Sequence, residues 1–245
     1  MINYLWFIAV FCAFFVKGVC GFANTLIFSS IMSFGTNNIN ISPVDLLIGI
    51  PSNVIMVWKN RAKARASIFL PLAVLVVLGV IPGALFLKNA DVTSVKIIFG
   101  AVIIVVGLQM LIQERFLKPK EGSKPNPVVV VVLGLLSGIM CGLFGIGAIL
   151  AAYVSKVSDD VPTFKANMCI VFLVDNVIRF VLYTMWGILT LESYKTAGLL
   201  LPVMVIGLLT GMLLSKKLKE CTVKNVVIVM LIISGISLII NSIIK

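Results

Sequence analysis

Few side chains in this 245-residue sequence are placed to do chemistry. Three charged residues lie deep inside apolar stretches: Lys17, Asp175 and Arg179. An ionisable group at the middle of an apolar helix costs about 2.5–3.5 kcal/mol on insertion scales, so it faces a partner or a water-filled path. Lys17 immediately precedes the glycine-rich run Gly18-Val19-Cys20-Gly21, where it can meet an anion. Asp175 and Arg179 are four residues apart, on one face of a helix, and can pair with each other. A pair between Asp175 and Lys17 is the alternative, and it would make Asp175 a proton-linked gate. The sequence allows both, so Asp175 and Arg179 are candidate coupling or gating residues. Asn24, Thr25, Asn53 and Asn176 can hydrogen-bond an oxyanion or water, or can simply bond between helices. Cys20 and Cys141 flank two glycine runs. A thiol there can touch a sulfur-containing ligand, although buried cysteine also serves as a small apolar packer.

Other chemistries lack their parts. The chain has no histidine, which removes His-dependent catalysis and most zinc sites. No serine–lysine or aspartate pair has a convincing spacing for an intramembrane enzyme. The five cysteines, Cys12, Cys20, Cys141, Cys169 and Cys221, form no C-x-x-C pair, which argues against a disulfide framework or a metal cluster. No enzyme activity, metal or cofactor is expected.

The elements that must position these residues are membrane helices. The chain is 60% hydrophobic and 12% charged, with mean hydropathy +1.17, against about 45–50% apolar and about 25% charged in a soluble domain. Apolar stretches fall at about 4–34, 43–58, 66–87, 97–113, 128–155, 166–190, 197–215 and 225–244. A span needs about 20 apolar residues. Six stretches are near that length. The other two, 4–34 and 128–155, are too long for one span and too short for two crossings of a ~30 Å core. Each has a glycine-rich interruption, Gly18–Gly21 in one and Gly142–Gly147 in the other, so broken helices are expected. The start, Met1-Ile2-Asn3-Tyr4, lacks a basic region and a cleavage site follows nowhere nearby, so the first segment is expected to be retained.

The chain also repeats itself. Lys17-Gly18-Val19-Cys20-Gly21 aligns with Cys141-Gly142-Leu143-Phe144-Gly145, and Asn53-Val54-Ile55 recurs as Asn176-Val177-Ile178. Gly79 and Gly83 recur as Gly207 and Gly211, then Lys96 and Gly107 as Lys224 and Gly235. The expected fold is all-α and polytopic, with two four-segment repeats, 1–117 and 128–245, joined by a polar cytoplasmic linker, 118–127. Each repeat is one broken, re-entrant helix plus three transmembrane helices.

Loop charge sets the orientation. With eight crossings, the loop Lys+Arg split ten to eight and give none. With 4–34 and 128–155 as hairpins, fourteen fall on one side, from Lys59 to Lys224, and four on the other: Lys88, Lys96, Lys195 and Lys245. The positive-inside rule is then satisfied. Three spans per half make the repeats inverted and put both termini outside. The net charge of +11 is therefore mostly an orientation signal at the lipid surface, not a nucleic-acid interface.

Inverted repeats with broken helices are a transporter architecture, with substrate bound near the midplane. The second half-helices begin near Gly21 and Gly145 and present free N–H groups with about half a positive charge each. The bland alternative is that these glycines only allow close packing. Gly79/Gly83 and Gly207/Gly211 read as packing faces of that kind.

The stretch Gly134-Leu135-Leu136-Ser137-Gly138-Ile139-Met140-Cys141-Gly142-Leu143-Phe144-Gly145-Ile146-Gly147 resembles the second repeat motif of the sulfite exporter TauE/SafE family. Gly18–Phe22 resembles the degenerate first copy, and length, twofold layout and the basic loop after the second segment extend the resemblance over essentially the whole chain. It implies a permease for sulfite, sulfonates or other small sulfur-containing anions, with Gly142, Gly145 and Gly147 in the re-entrant motif. Two departures stand out: Ala148 follows Gly147 where a longer glycine run is usual, and Ala23-Asn24 replaces what is often glycine.

The expected function is a secondary transporter in the cell (inner or plasma) membrane that moves such an anion by alternating access. An uncoupled anion channel, or a carrier of a small carboxylate or other non-sulfur anion, is the alternative. The expected substrate-binding set is Lys17, Gly18, Cys20, Gly21, Asn24, Asn53, Cys141, Gly142, Gly145, Gly147 and Asn176. Protons are the candidate coupling ion, and the partners are the anion and the lipid bilayer.

Overall fold

The computed structural model describes residues 4–33, 41–89 and 160–215 continuously, and scattered positions within 97–112, 131–158 and 217–240. All regular structure among the described residues is helical. Six helices can be followed: α1 Tyr4–Cys20, α2 Asn24–Ser33, α3 Ile41–Asn60, α4 Ala66–Asn89, α5 Val161–Met185 and α6 Leu191–Leu214. The segments Ile41–Lys63, Ala66–Gly83, Val161–Met185 and Leu191–Leu214 are long and apolar enough to cross a membrane, and Tyr4–Cys20 is a shorter apolar helix. The expected spans at 97–113 and 225–244 lie largely outside the described residues.

The first long stretch is broken as expected. Gly21 has φ +88°, which glycine adopts without a Cβ penalty, and Ala23 has φ +73°. A non-glycine residue in that region costs about 1–2 kcal/mol, so the alanine at the position often held by glycine retains the glycine-like backbone under strain. After the break, α2 turns back along α1. Trp6 and Phe28 touch edge to face with ring centroids 5.8 Å apart. An unbroken helix would separate residues 22 apart in sequence by about 33 Å.

Helix α5 begins earlier than its apolar stretch, 166–190, suggests. Asp160 is the N-cap: its side chain accepts from Thr163 N–H at 2.7 Å, and Pro162 occupies the first turn. The helix ends at Met185, and Gly187 (φ +66°) carries the turn into α6. A polar cap thus sets the start of the helix and a glycine with positive φ its end, and both override hydropathy. Lys165 and Lys195, both expected in loops, fall inside α5 and α6.

Close packing is concentrated at glycines. A Cβ on Gly211 would strike the carbonyl oxygen of Phe15, and one on Gly207 would lie 2.8 Å from the Phe11 carbonyl oxygen, so α6 crosses α1 backbone to backbone. Gly79 in α4 is in the same situation against the helical residues Leu135 (2.6 Å) and Gly138 (2.7 Å). The other side of α4 is apolar and exposed at Leu70, Val74, Leu78, Ile81 and Leu85, a spacing that makes one helical stripe suited to lipid. Helices α3 and α5 pack on each other in the interior. At one end of this pair, Lys63 Nζ bonds Asp160 Oδ2 at 3.0 Å and Arg65 N–H donates to Asn167 Oδ1 at 2.9 Å.

Candidate functional site

The break between α1 and α2 faces α3 and α5. Lys17, on the last turn of α1, is 1% exposed and donates through Nζ to Ser52 Oγ at 2.8 Å. Ser52 in turn donates to the Gly49 carbonyl at 2.7 Å. Pro51, just before it, has no N–H to donate, so the α3 ladder lacks one backbone bond there. The Lys17 ammonium also lies 5.6 Å from the centre of the Phe14 ring. Among the described residues Lys17 makes no ion pair.

Arg179 is compensated differently. Its Nη1 lies 3.8 Å from Asp175 Oδ2 one turn earlier, and Nη2 donates to Ser42 Oγ at 3.0 Å and to Tyr183 Oη at 3.4 Å. The guanidinium carbon is 5.3 Å from the Tyr183 ring centre. Of the two partners open to Asp175 in the sequence, the structure places it with Arg179. Asp175 Oδ1 and Arg179 Nε have no hydrogen-bond partner among the described residues, and neither has Asn53 Oδ1. Asn176 lies on the same interface, its Nδ2 3.1 Å from where a Gly49 Cβ would be. Asn176 therefore belongs to the buried contact of α3 with α5, and Asn53 is buried in α3 one turn after Gly49.

The residues of the break divide by their neighbours. Gly18 is pressed against the backbone of Leu208 and Gly211 in α6, which makes it a packing glycine. Gly21 lies under the side chain of Lys165, whose Cγ is 2.7 Å from where a Cβ would be. Lys165 Nζ donates to the Gly18 carbonyl at 3.3 Å, and Cys169 Sγ donates to the Gly21 carbonyl at 3.5 Å. Cys20 is half-buried. Asn24 opens α2 and donates through Nδ2 to Asp45 Oδ1 at 3.2 Å. Cys141 is buried and helical, and close enough to Asp175 to feel its charge. Gly142, Gly145 and Gly147 lie outside the described residues.

Four residues around the break escape the sequence criteria. Asp45 (3% exposed) accepts from Asn24 and, at 2.6 Å, from Thr25 Oγ1. It falls inside the apolar stretch 43–58, so the rule that singled out Asp175 applies to it equally; its place near the start of that stretch makes it resemble an ordinary first-turn acid. Lys165 reads as a loop cation because it precedes its apolar stretch. Ser52 and Tyr183 carry no signal of their own.

Residues 6–238 match the family described as Sulfite exporter TauE/SafE. The chain belongs to the TauE/SafE family. The match covers both glycine-rich runs and, apart from the first two residues of α1, every helix described above. Neither the curated proteins nor the solved structures contain a match to the chain. TauE/SafE membership implies a multi-pass membrane permease or exporter of sulfite-like anions, not an enzyme. In that context the buried polar groups between α1, α2, α3 and α5 are the candidate anion path.

Proposed function

We propose that the protein is a secondary transporter that moves a small sulfur-containing anion, such as sulfite, thiosulfate or an organosulfonate, by alternating access. The anion is held inside the bundle where α2 begins, with Lys17 as its cation. The observation that carries this reading is the state of Lys17: it is buried beside the break and bonded to a neutral hydroxyl, while Arg179 has Asp175. A buried ammonium whose hydrogen-bond partner is a neutral hydroxyl is costly, and an entering anion relieves that cost. The free N–H groups of the first turn of α2 add donors of the same sign. Cys20 and Asn24 line the same break, and Gly142, Gly145 and Gly147 would form the matching break of the second half, with Cys141, Asn53 and Asn176 on the path between them.

The twofold design is part of this proposal. Phe11 and Leu135 each lie seven residues before the aligned glycines Gly18 and Gly142, and each receives the aligned glycine of the other half, Gly207 and Gly79. Reciprocal packing of this kind supports two repeats, 1–117 and 128–245, that exchange helices across an internal axis. Inversion of the repeats and external termini are what the loop charges predict, and the cell membrane is the proposed location.

Liposome flux tests the reading. Purified protein reconstituted in liposomes should exchange sulfite or thiosulfate, and Lys17→Met should lower the rate at least tenfold while reconstituting normally. Unchanged flux in that variant removes Lys17 from the site. Uphill accumulation driven by a pH step separates a coupled transporter from a channel.

A further inference from the structure

The start of α2 is already occupied by an anion that belongs to the protein. Asp45 projects from α3 and accepts from the side chains of the first two residues of α2, Asn24 at 3.2 Å on one oxygen and Thr25 at 2.6 Å on the other. The carboxylate is 3% exposed. Lys17 and Arg179 both act on it electrostatically, so it faces the cations of both halves of the molecule. A mobile anion bound at the start of α2 would therefore have Asp45 as a neighbour of like charge, in a setting where water screens little.

We propose that Asp45 is a tethered substitute for the transported anion, and that it takes up a proton when the anion binds. In the empty site the carboxylate of Asp45 complements Lys17 and the first turn of α2. On loading, one proton from solvent binds an Asp45 oxygen to give the neutral acid, and one anion enters. No covalent bond to the anion forms. For a monoanion, the net charge of the site is the same before and after, and for a dianion such as thiosulfate the proton offsets one of its two charges, so in neither case is the anion's full charge added to the apolar interior. Anion and proton then cross together in a one-to-one ratio, and the coupling residue is on α3 rather than at the Asp175–Arg179 pair.

Among the described residues, the other titratable groups around Asp45 are accounted for. Lys17 faces it from α1; Arg179, Asp175 and Tyr183 come from α5, where Arg179 bonds Tyr183 and pairs with Asp175. Helix α2 contributes only the neutral Asn24 and Thr25. The charged residues in the first turns of α6, Glu192 and Lys195, are exposed. Asp175 already has Arg179 as a fixed partner, whereas among the described residues the partners of Asp45 at hydrogen-bond distance are neutral.

The inference rests on the start of α2 being the anion site, and calorimetry on the full-length protein separates the two. Thiosulfate and methanesulfonate, whose charge is fixed from about pH 5 to about pH 8, are titrated into wild type and Asp45→Asn in two buffers of different ionisation enthalpy. Wild type should take up about one proton per anion, with affinity falling up to tenfold per pH unit once Asp45 must be protonated to bind. Asp45→Asn keeps the shape of the side chain and should bind both anions with no proton uptake and no dependence on pH. Proton uptake that persists in Asp45→Asn, or wild type that binds without taking a proton, overturns the role of Asp45 and leaves the anion site intact. Absence of binding in both proteins, for sulfite as well, overturns the anion site itself. Should Asp45→Asn fail to fold, Thr25→Val removes one donor and leaves the carboxylate in place. It should move the pH midpoint of anion binding, and an unmoved midpoint overturns the proposal.

Discussion

Asp160 is a charge whose energetics can be followed through pH. It caps α5 through Thr163 and pairs with Lys63, and these interactions lower its pKa to about 2, the Thr163 hydrogen bonds contributing most. A carboxyl lowered in the folded state stabilises above its ordinary pKa, and that contribution disappears as pH falls toward the folded value. Asp160→Ala should therefore lower the melting temperature in detergent by about 2–4 °C near neutral pH, and the gap to wild type should close as pH is lowered from about 5 toward about 2. A gap that is constant over that interval would show that the loss is one of packing and not of charge. Lys17 is the opposite case. Its depth marks it in sequence as an expensive group, but its bond to Ser52 depends on where α3 passes, which hydropathy does not encode. Asp45 shows the cost of weighing charged residues by position along a stretch: five residues into α3 it is as buried as Asp175. Residue type revealed the candidates; their pairing required the fold.

The helices themselves were largely legible, because a lipid-facing helix and a packing glycine both leave marks in sequence. The break after Cys20 is visible as glycine at positions 18 and 21, yet the two glycines do different jobs. Gly21 turns the chain, while Gly18 lets α6 approach. Spacing alone cannot tell these apart. Hydropathy misses the start of α5 because its cap and first residues include Asp160, Pro162 and Lys165, all polar or helix-limiting, yet capped and packed. The α1–α6 crossing gives a test at this scale. Gly211→Val puts a branched side chain where the Phe15 carbonyl oxygen already lies, and the two backbones must separate. Overpacking of this kind costs about 1–3 kcal/mol, and here it also shifts the helix end that carries Lys17. Thermal stability and anion flux should both fall. Gly198 is on the same helix with open space around its Cα, so Gly198→Ala should leave both unchanged or raise stability by about 0.5–1 kcal/mol through helix propensity. Equal loss in the two variants would mean that α6 tolerates no side chain at any glycine, and the close crossing would not be the cause.

For the molecule as a whole, the question is which way it faces. The contact of Lys63 with Asp160, and of Arg65 with Asn167, places the basic loop after α3 beside the start of α5. Helices α3 and α5 therefore run in opposite directions, each starting where the other ends. That is what an even number of crossings between α3 and α5 requires, α4 and the expected span at 97–113, and it agrees with the sequence-based count in which 128–155 is a hairpin that does not cross. Had 128–155 crossed once, α3 and α5 would run parallel, and Asp160 would lie across the membrane from Lys63. The charge argument made in sequence thus meets an independent geometric one, and both put residues 59–65 and 160 on the same side. The positive-inside rule names that side the cytoplasm. Single cysteines placed at Arg61 and at Tyr4, in a protein with its native cysteines replaced by serine or alanine, decide the matter. A membrane-impermeant thiol reagent applied to intact cells should label Tyr4→Cys and spare Arg61→Cys until the membrane is opened. Labelling of Arg61→Cys alone from outside would invert the whole molecule. Labelling of both would break the link between the ends of α1 and α3, and with it the hairpin that brings Asn24 to Asp45.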